Sequence, residues 1–220
     1  SPKQKDSFTN TALNKLYSKD YILKSGLGFE IENTGIVDRF RERVMFPIHS
    51  FSGRILGFGG RALNPNAKAK YQNSPESPIY NKSKVLYGIF FAKNSISKKN
   101  NCFLVEGYTD VISLHQKGIE NVVSASGTSL TIEQIKLINR FTKNITILFD
   151  GDNAGVKASF RGVDMILKEG MNVKVVPFPD NEDPDSFAQK SSEEELSRFL
   201  ETEAIDFITY KTNILNAESE

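Results

Sequence analysis

Between residues 101 and 190, four short apolar runs alternate with longer amphipathic stretches, and this alternation constrains the fold more than any other feature. The runs are CFLVE (102–106), NVVSA (121–125), ITILFD (145–150) and VKVVPF (173–178). Helical patterns lie between them at about 108–117, 131–141 and 153–169. Strands separated by helices of this length predict βαβ crossovers, which generate a parallel sheet. The runs are nearly continuously apolar instead of alternating, as expected of strands covered on both faces. The region is therefore expected to form an α/β layer, a mostly parallel sheet with helices on both faces.

The flanking segments read differently. Residues 1–98 are rich in glycine and turn formers, and predict a smaller mixed α+β subdomain. A helix is expected at about 9–25. VMFPIHS and GRILGFGGR, joined by FSG, read as a β-hairpin. Residues 191–220 predict a short helical segment of two acidic helices, with Leu196, Phe199 and Leu200, then Ile205, Ile208 and Leu215, at helical spacing. The expected organisation is 1–98, 99–190 and 191–220.

Residue usage limits the chemistry. A single cysteine, Cys102, excludes an internal disulfide and a cysteine-rich zinc site, and suits a reducing cytoplasm. His49 and His115 are the only histidines, so zinc is not expected, and any metal must be held by carboxylates. Such donors favour a hard ion such as Mg²⁺ or Mn²⁺. No apolar run approaches the roughly 18 residues that span a bilayer, and the start lacks a secretory signal, so no membrane partner is expected. A chain that opens on Ser1 is expected to be a piece of a longer one.

The formal net charge of +1 conceals a segregation. Residues 39–99 hold twelve Lys and Arg against two acids, whereas residues 100–220 hold eleven against twenty. A basic surface for a polyanion and an acidic site for metal would produce this pattern. Two solvated surfaces of opposite sign would produce it equally well.

Ligands of an open parallel sheet sit beyond the carboxyl ends of its strands, and several acids fall there. Glu106 closes CFLVE, Asp150 closes ITILF with Asp152 just after it, and Asp183 and Asp185 follow VKVVPF. Three strands would thus deliver carboxylates to one rim, where a shared cation relieves their repulsion. Each acid alone has a plainer explanation. Asp152 or Asn153 can cap the helix starting near Ala154, Asp183 before Pro184 can be a turn, and Glu106 and Asp110 can flank a helix start. LGFGGRA lacks the setting of a dinucleotide fingerprint and reads as a tight hairpin. SASGTSLT can offer backbone N–H groups to an anion or simply cap a helix. Tyr108 reads as packing.

Taken in order, VEGYTD, ASGTS, LFDGDNAG and EDPD resemble the Toprim domain shared by topoisomerases and primases. Upstream, DRFRERVMFPI, GFGGRAL and KYQNSPESPIYNKSKVLYG resemble the catalytic core of bacterial replicative DNA primases. The resemblance implies synthesis of short RNA primers on a single-stranded DNA template from ribonucleoside triphosphates. It implies Glu106, Asp150 and Asp152 as catalytic metal ligands, Asp183 and Asp185 as further ligands, and Asp110 as a nearby acid. It implies Arg39, Arg41, Arg43, Arg61, Lys70, Tyr71 and Asn73, with Lys82 and Lys84 as additions, as residues that line the path of template or nucleotide phosphates. The zinc ribbon of that family has no counterpart here, the N-terminal subdomain is shorter than usual, and the replicative helicase would meet a domain absent from this sequence. Residues 1–37 match less closely.

Two other readings stay open. The same carboxylates can activate water in a Toprim-type metal-dependent nuclease, and the chain can be a non-catalytic nucleic-acid-binding module. A topoisomerase fits less well, since nothing supplies its tyrosine-bearing domain.

Overall fold

The structure, a computed structural model, describes residues 1–127, 129–149, 162–179 and 181–217. Asp150, Asp152 and the start of the helix expected at 153–169 lie outside the described residues. The chain forms two compact units, Ser1–Lys82 and Ser83–Glu220. Among the described residues, no helix is long and apolar enough to cross a membrane.

The first unit begins with two helices where one was expected. Helix α1 (Ser7–Asn14) stops before Leu16, whose backbone is left-handed at φ 65°. Helix α2 (Lys19–Lys24) restarts behind Ser18, whose side chain accepts the Tyr21 N–H. A serine able to satisfy an orphan helix donor outweighs the apolar periodicity that runs through it. Strands β1 (Gly28–Ile31) and β2 (Gly35–Asp38) pair antiparallel. The end of β2 is tied to α1 through Asp38, a buried carboxylate that accepts Phe8 N–H at 2.6 Å, Thr9 N–H at 2.9 Å and the Thr9 hydroxyl at 2.8 Å. Asp6, the residue before α1, makes no side-chain cap, so the helix is capped from thirty residues away.

The rest of this unit is a three-stranded antiparallel sheet of β3 (Arg43–His49), β4 (Ile55–Ala62) and β5 (Tyr71–Asn73), with β4 in the middle. The turn of the β3–β4 hairpin is closed by Ser50 N–H to Arg54 carbonyl at 2.8 Å, with Gly53 at φ 92°. The glycines of LGFGGRA were expected in a tight hairpin but lie inside β4. Their reason is close approach: a Cβ on Gly60 would stand 2.8 Å from the Phe40 ring and 2.9 Å from Arg43 Cδ.

The second unit carries the five-stranded sheet, in the order β10-β9-β8-β6-β7. Strands β6 (Cys102–Val105), β7 (Val122–Ser124), β8 (Asn144–Phe149) and β9 (Asn172–Pro177) are parallel to their neighbours. The short β10 (Ile205–Asp206) pairs antiparallel with β9. The helices are α3 (Ile89–Lys99), α4 (Tyr108–Gln116), α5 (Ile132–Asn139), α6 (described over 162–168), α7 (Pro184–Lys190), α8 (Glu193–Thr202) and α9 (Phe207–Ala217).

The alternation of strand side chains explains the continuous apolar runs. Cys102, Leu104, Ile145, Ile147, Val173 and Val175 pack with residues of α3, α5, α6 and α9. Their neighbours Val105, Leu148, Val176 and Phe178 pack with residues of α4, α7 and α8. Both faces are therefore dry and covered, as expected for an α/β sheet. The contact boundary between the two units falls at 82/83, because Leu86, Ile89, Ala92 and Ile96 are buried in the first of these clusters.

Candidate functional site

The parallel register fixes where the acids emerge. Leu104 pairs with Ile147, and Phe149 with Pro177, so β6, β8 and β9 end on one edge of the sheet. Glu106 directly follows β6 and is exposed. Asp150 and Asp152 directly follow β8 in sequence. Asp183 is the N-cap of α7, accepting the Ser186 N–H at 2.6 Å, and Asp185 sits in that helix's first turn.

Asp110 lies in the first turn of α4, is only 8% exposed, and accepts the Gly107 N–H at 2.7 Å through Oδ2. Burial pushes its carboxyl up from the usual 3.8 to about 6. The Gly107 bond opposes the rise, while the charges of Asp183, Asp185 and Glu106 add to it. The fold thus brings Glu106, Asp110, Asp183 and Asp185 into one electrostatic neighbourhood. Glu182 stands apart, bonded to Lys190 and Ser186, which hold its carboxyl below the usual range.

The free lone pairs are informative. Asp110 Oδ2 and Asp183 Oδ1 each accept a backbone N–H. Asp185 Oδ1 accepts both the Ser113 hydroxyl, at 2.5 Å, and the Gln189 amide, at 2.7 Å. Each of the three keeps its second oxygen without a hydrogen bond among the described residues. No described Lys or Arg forms an ion pair with them. Hard oxygen donors, each with one oxygen fixed and one open, are the donor type a divalent cation takes. Among the described residues, no three potential ligands stand close enough together to hold an ion.

The basic residues belong to the first unit, and their surroundings separate them. Arg43 is committed to the fold: Nη1 donates to the Gly60 and Lys70 carbonyls at 3.1 and 3.3 Å, and Nη2 to the Ala69 carbonyl at 3.1 Å. Arg39 Nε donates to the Gly26 carbonyl at 2.7 Å while its guanidinium lies 5.5 Å from the Phe29 ring centroid. Arg41 is exposed and makes no contact of this kind among the described residues. Register places Arg61 opposite Tyr71, and Asn73 opposite Gly59, so the three share one face of the sheet. The Arg61 guanidinium lies 5.8 Å from the Tyr71 ring centroid. Lys70 is exposed, and the backbone N–H of Lys82 donates to Glu76 at 3.0 Å.

Two motifs resolve toward structure. Thr131 caps α5, exchanging hydrogen bonds with Gln134. Tyr108 is buried edge-on against Tyr87, with ring centroids 4.7 Å apart. No local pattern singles out Ser124, whose hydroxyl donates to the Glu106 carbonyl at 2.6 Å, or Ser113 and Gln189, which donate to Asp185. Ser124 and Ser113 are distant in sequence from their partners and only the folded chain joins them, whereas Gln189 lies one helical turn after Asp185.

Comparison with known proteins places this geometry. Residues 1–93 match the family described as the DNA primase catalytic core, N-terminal domain, and residues 103–188 match the Toprim-like family. A crystallised DNA primase domain from Pseudomonas aeruginosa is 37% identical, covers 99% of this chain, is itself 69% covered, and superposes with a TM-score of 0.88. The chain belongs to the bacterial DNA primase family. A DnaG primase catalytic domain solved bound to ssDNA is 35% identical, with 99% of this chain and 68% of that one covered and a TM-score of 0.87. The DNA primase of Clostridium acetobutylicum is 42% identical over 201 residues, 91% of this chain. This primase-family chain spans about a third of that relative's length, 33%.

Proposed function

We propose that this chain carries the catalytic part of a DNA primase, making short RNA primers on single-stranded DNA from ribonucleoside triphosphates. The observation that supports it most is the group of Glu106, Asp110, Asp183 and Asp185, which share one field without a paired cation among the described residues, at the edge where β8 leads into Asp150 and Asp152. In this reading residues 99–190 are the Toprim domain. Glu106, Asp150 and Asp152, with Asp183 and Asp185, hold Mg²⁺ or Mn²⁺. Bound divalent ions would lower the pKa of the attacking 3′-hydroxyl and neutralise the leaving pyrophosphate.

The chain's own residues do the rest. Phosphoryl transfer asks chiefly for positioning and charge stabilisation, so a site without a Cys, His or Ser nucleophile is adequate. Arg41, Arg61, Lys70, Tyr71, Asn73 and Lys82 take template or nucleotide phosphates through salt-sensitive, sequence-independent contacts, with Tyr71 offering a ring for base stacking. Arg39 keeps its terminal nitrogens for the same purpose, and Arg43 contributes by fixing the Gly60 and Lys70 segments. Contact with a replicative helicase is not assigned to these residues.

The test is incubation of the chain with single-stranded DNA, the four ribonucleotides and Mg²⁺ or Mn²⁺, with labelled products resolved on a gel. Short RNA that disappears in Asp150→Ala is expected. Shortened DNA in its place would assign the carboxylates to a nuclease. Nucleic-acid binding with neither product, unchanged by Asp150→Ala, would leave a binding module.

A further inference from the structure

The acids at the sheet edge are not all held in the same way. Asp110 and Asp183 are each fixed by a backbone N–H close in sequence, which any fold of those turns would supply. Asp185 is fixed by side chains. Its Oδ1 accepts the Ser113 hydroxyl from α4, 72 residues away, and the Gln189 amide one turn further along α7. A carboxylate oxygen has two lone-pair directions, and both on Oδ1 are in use. Rotation about the Asp185 side chain is therefore blocked, and Oδ2 is the one oxygen left to face a ligand.

The placement of Ser113 follows from helix geometry. Asp110, Ser113 and Lys117 are spaced three and four apart, so they share one face of α4 and its C-cap. Ser113 reaches Asp185, and Lys117 Nζ donates to the Ser191 carbonyl at the end of α7 at 2.7 Å. One polar stripe thus docks α7 at both ends and carries Asp110 beside the same acids.

We infer that Ser113, assisted by Gln189, is a positioning residue that orients Asp185 so that Oδ2 alone faces a divalent cation. This rests on the proposed metal-binding role of Asp185. Partners that orient a metal-ligating carboxylate typically change metal affinity by about 10–100-fold when removed.

The experiment measures Mn²⁺ affinity of the whole chain by electron paramagnetic resonance, with thermal melting in chelator as a check of folding. Ser113→Ala is expected to weaken Mn²⁺ binding by about 10-fold, and Ser113→Thr, which keeps the hydroxyl, to restore most of it. Adding Ser113→Ala to Asp185→Asn should weaken binding no further than Asp185→Asn alone, a coupling that general destabilisation would not produce. If Asp185→Asn weakens binding but Ser113→Ala does not, or if the two effects simply add, the positioning role is wrong. If Asp185→Asn leaves affinity unchanged, the metal-binding role of Asp185 fails and the inference with it. Should Ser113→Ala fail to fold, Gln189→Met gives the same test through the second donor.

Discussion

Asp38→Ala removes the one side chain that caps α1, and its effect can be worked from the contacts. The buried carboxylate accepts two backbone N–H groups and a hydroxyl, from Phe8 and Thr9. Alanine leaves Thr9 N–H buried without an acceptor and Phe8 N–H partly so. A buried unsatisfied donor costs about 1–3 kcal/mol, and a lost helix cap alone about 1 kcal/mol. These describe the same bonds and do not add; one buried and one half-buried donor give a loss of about 2–4 kcal/mol. Asp38→Asn keeps one acceptor oxygen but turns an N–H₂ toward donors, and should lose about half as much. Asp6→Ala, at the sequence-adjacent cap position that makes no such bond, should change stability by less than about 0.5 kcal/mol. The assay is urea unfolding followed by circular dichroism. Because Asp38 directly precedes Arg39, single-stranded DNA binding should fall in parallel. Loss of less than about 1 kcal/mol in Asp38→Ala, or an equal loss in Asp6→Ala, would refute the distant-cap explanation.

Arg43 and Arg61 should separate. Arg43→Ala, which frees three backbone carbonyls, is expected to lower stability by about 2 kcal/mol in urea unfolding. Arg61→Ala is expected to leave stability nearly unchanged, while weakening single-stranded DNA uniformly across sequences and lowering the salt slope of binding by about 1. Asp110→Asn should carry a pH signature in the metal-free chain. Its carboxyl is raised from 3.8 to about 6, so ionisation opposes folding. The cost is absent below about 3.8 and complete above about 6, amounting to about 3 kcal/mol. The stability advantage of Asp110→Asn over wild type should therefore grow as pH rises from 4 to 7, as read by urea midpoints. A pH-independent difference would contradict it.

The sheet of the second unit was legible because strands covered on both faces must be largely apolar, as Cys102–Val105, Val122–Ser124, Asn144–Phe149 and Asn172–Pro177 are, even with exposed Asn172 and Lys174 in the last. The positions of the acids followed from the same logic, since strand ends in a parallel sheet share an edge. What local pattern could not carry was decided by partners far along the chain. The break at Leu16 depends on Ser18 capping a second helix, and β10 gains its identity only by pairing with β9. Among the basic residues, sequence could not distinguish Arg43, turned onto carbonyls beside Gly60, from Arg61 on the opposite face with Tyr71. Ser113 carries no signal of its own, because its role depends on α7 packing against α4.

The central claim, that the carboxylates at this sheet edge hold divalent ions for nucleotidyl transfer, is tested most directly by Mn²⁺ titration of the whole chain. Wild type is compared with a variant combining Glu106→Ala and Asp152→Ala. The account predicts that the double variant, still folded, loses specific Mn²⁺ binding; binding that survives both substitutions would contradict it.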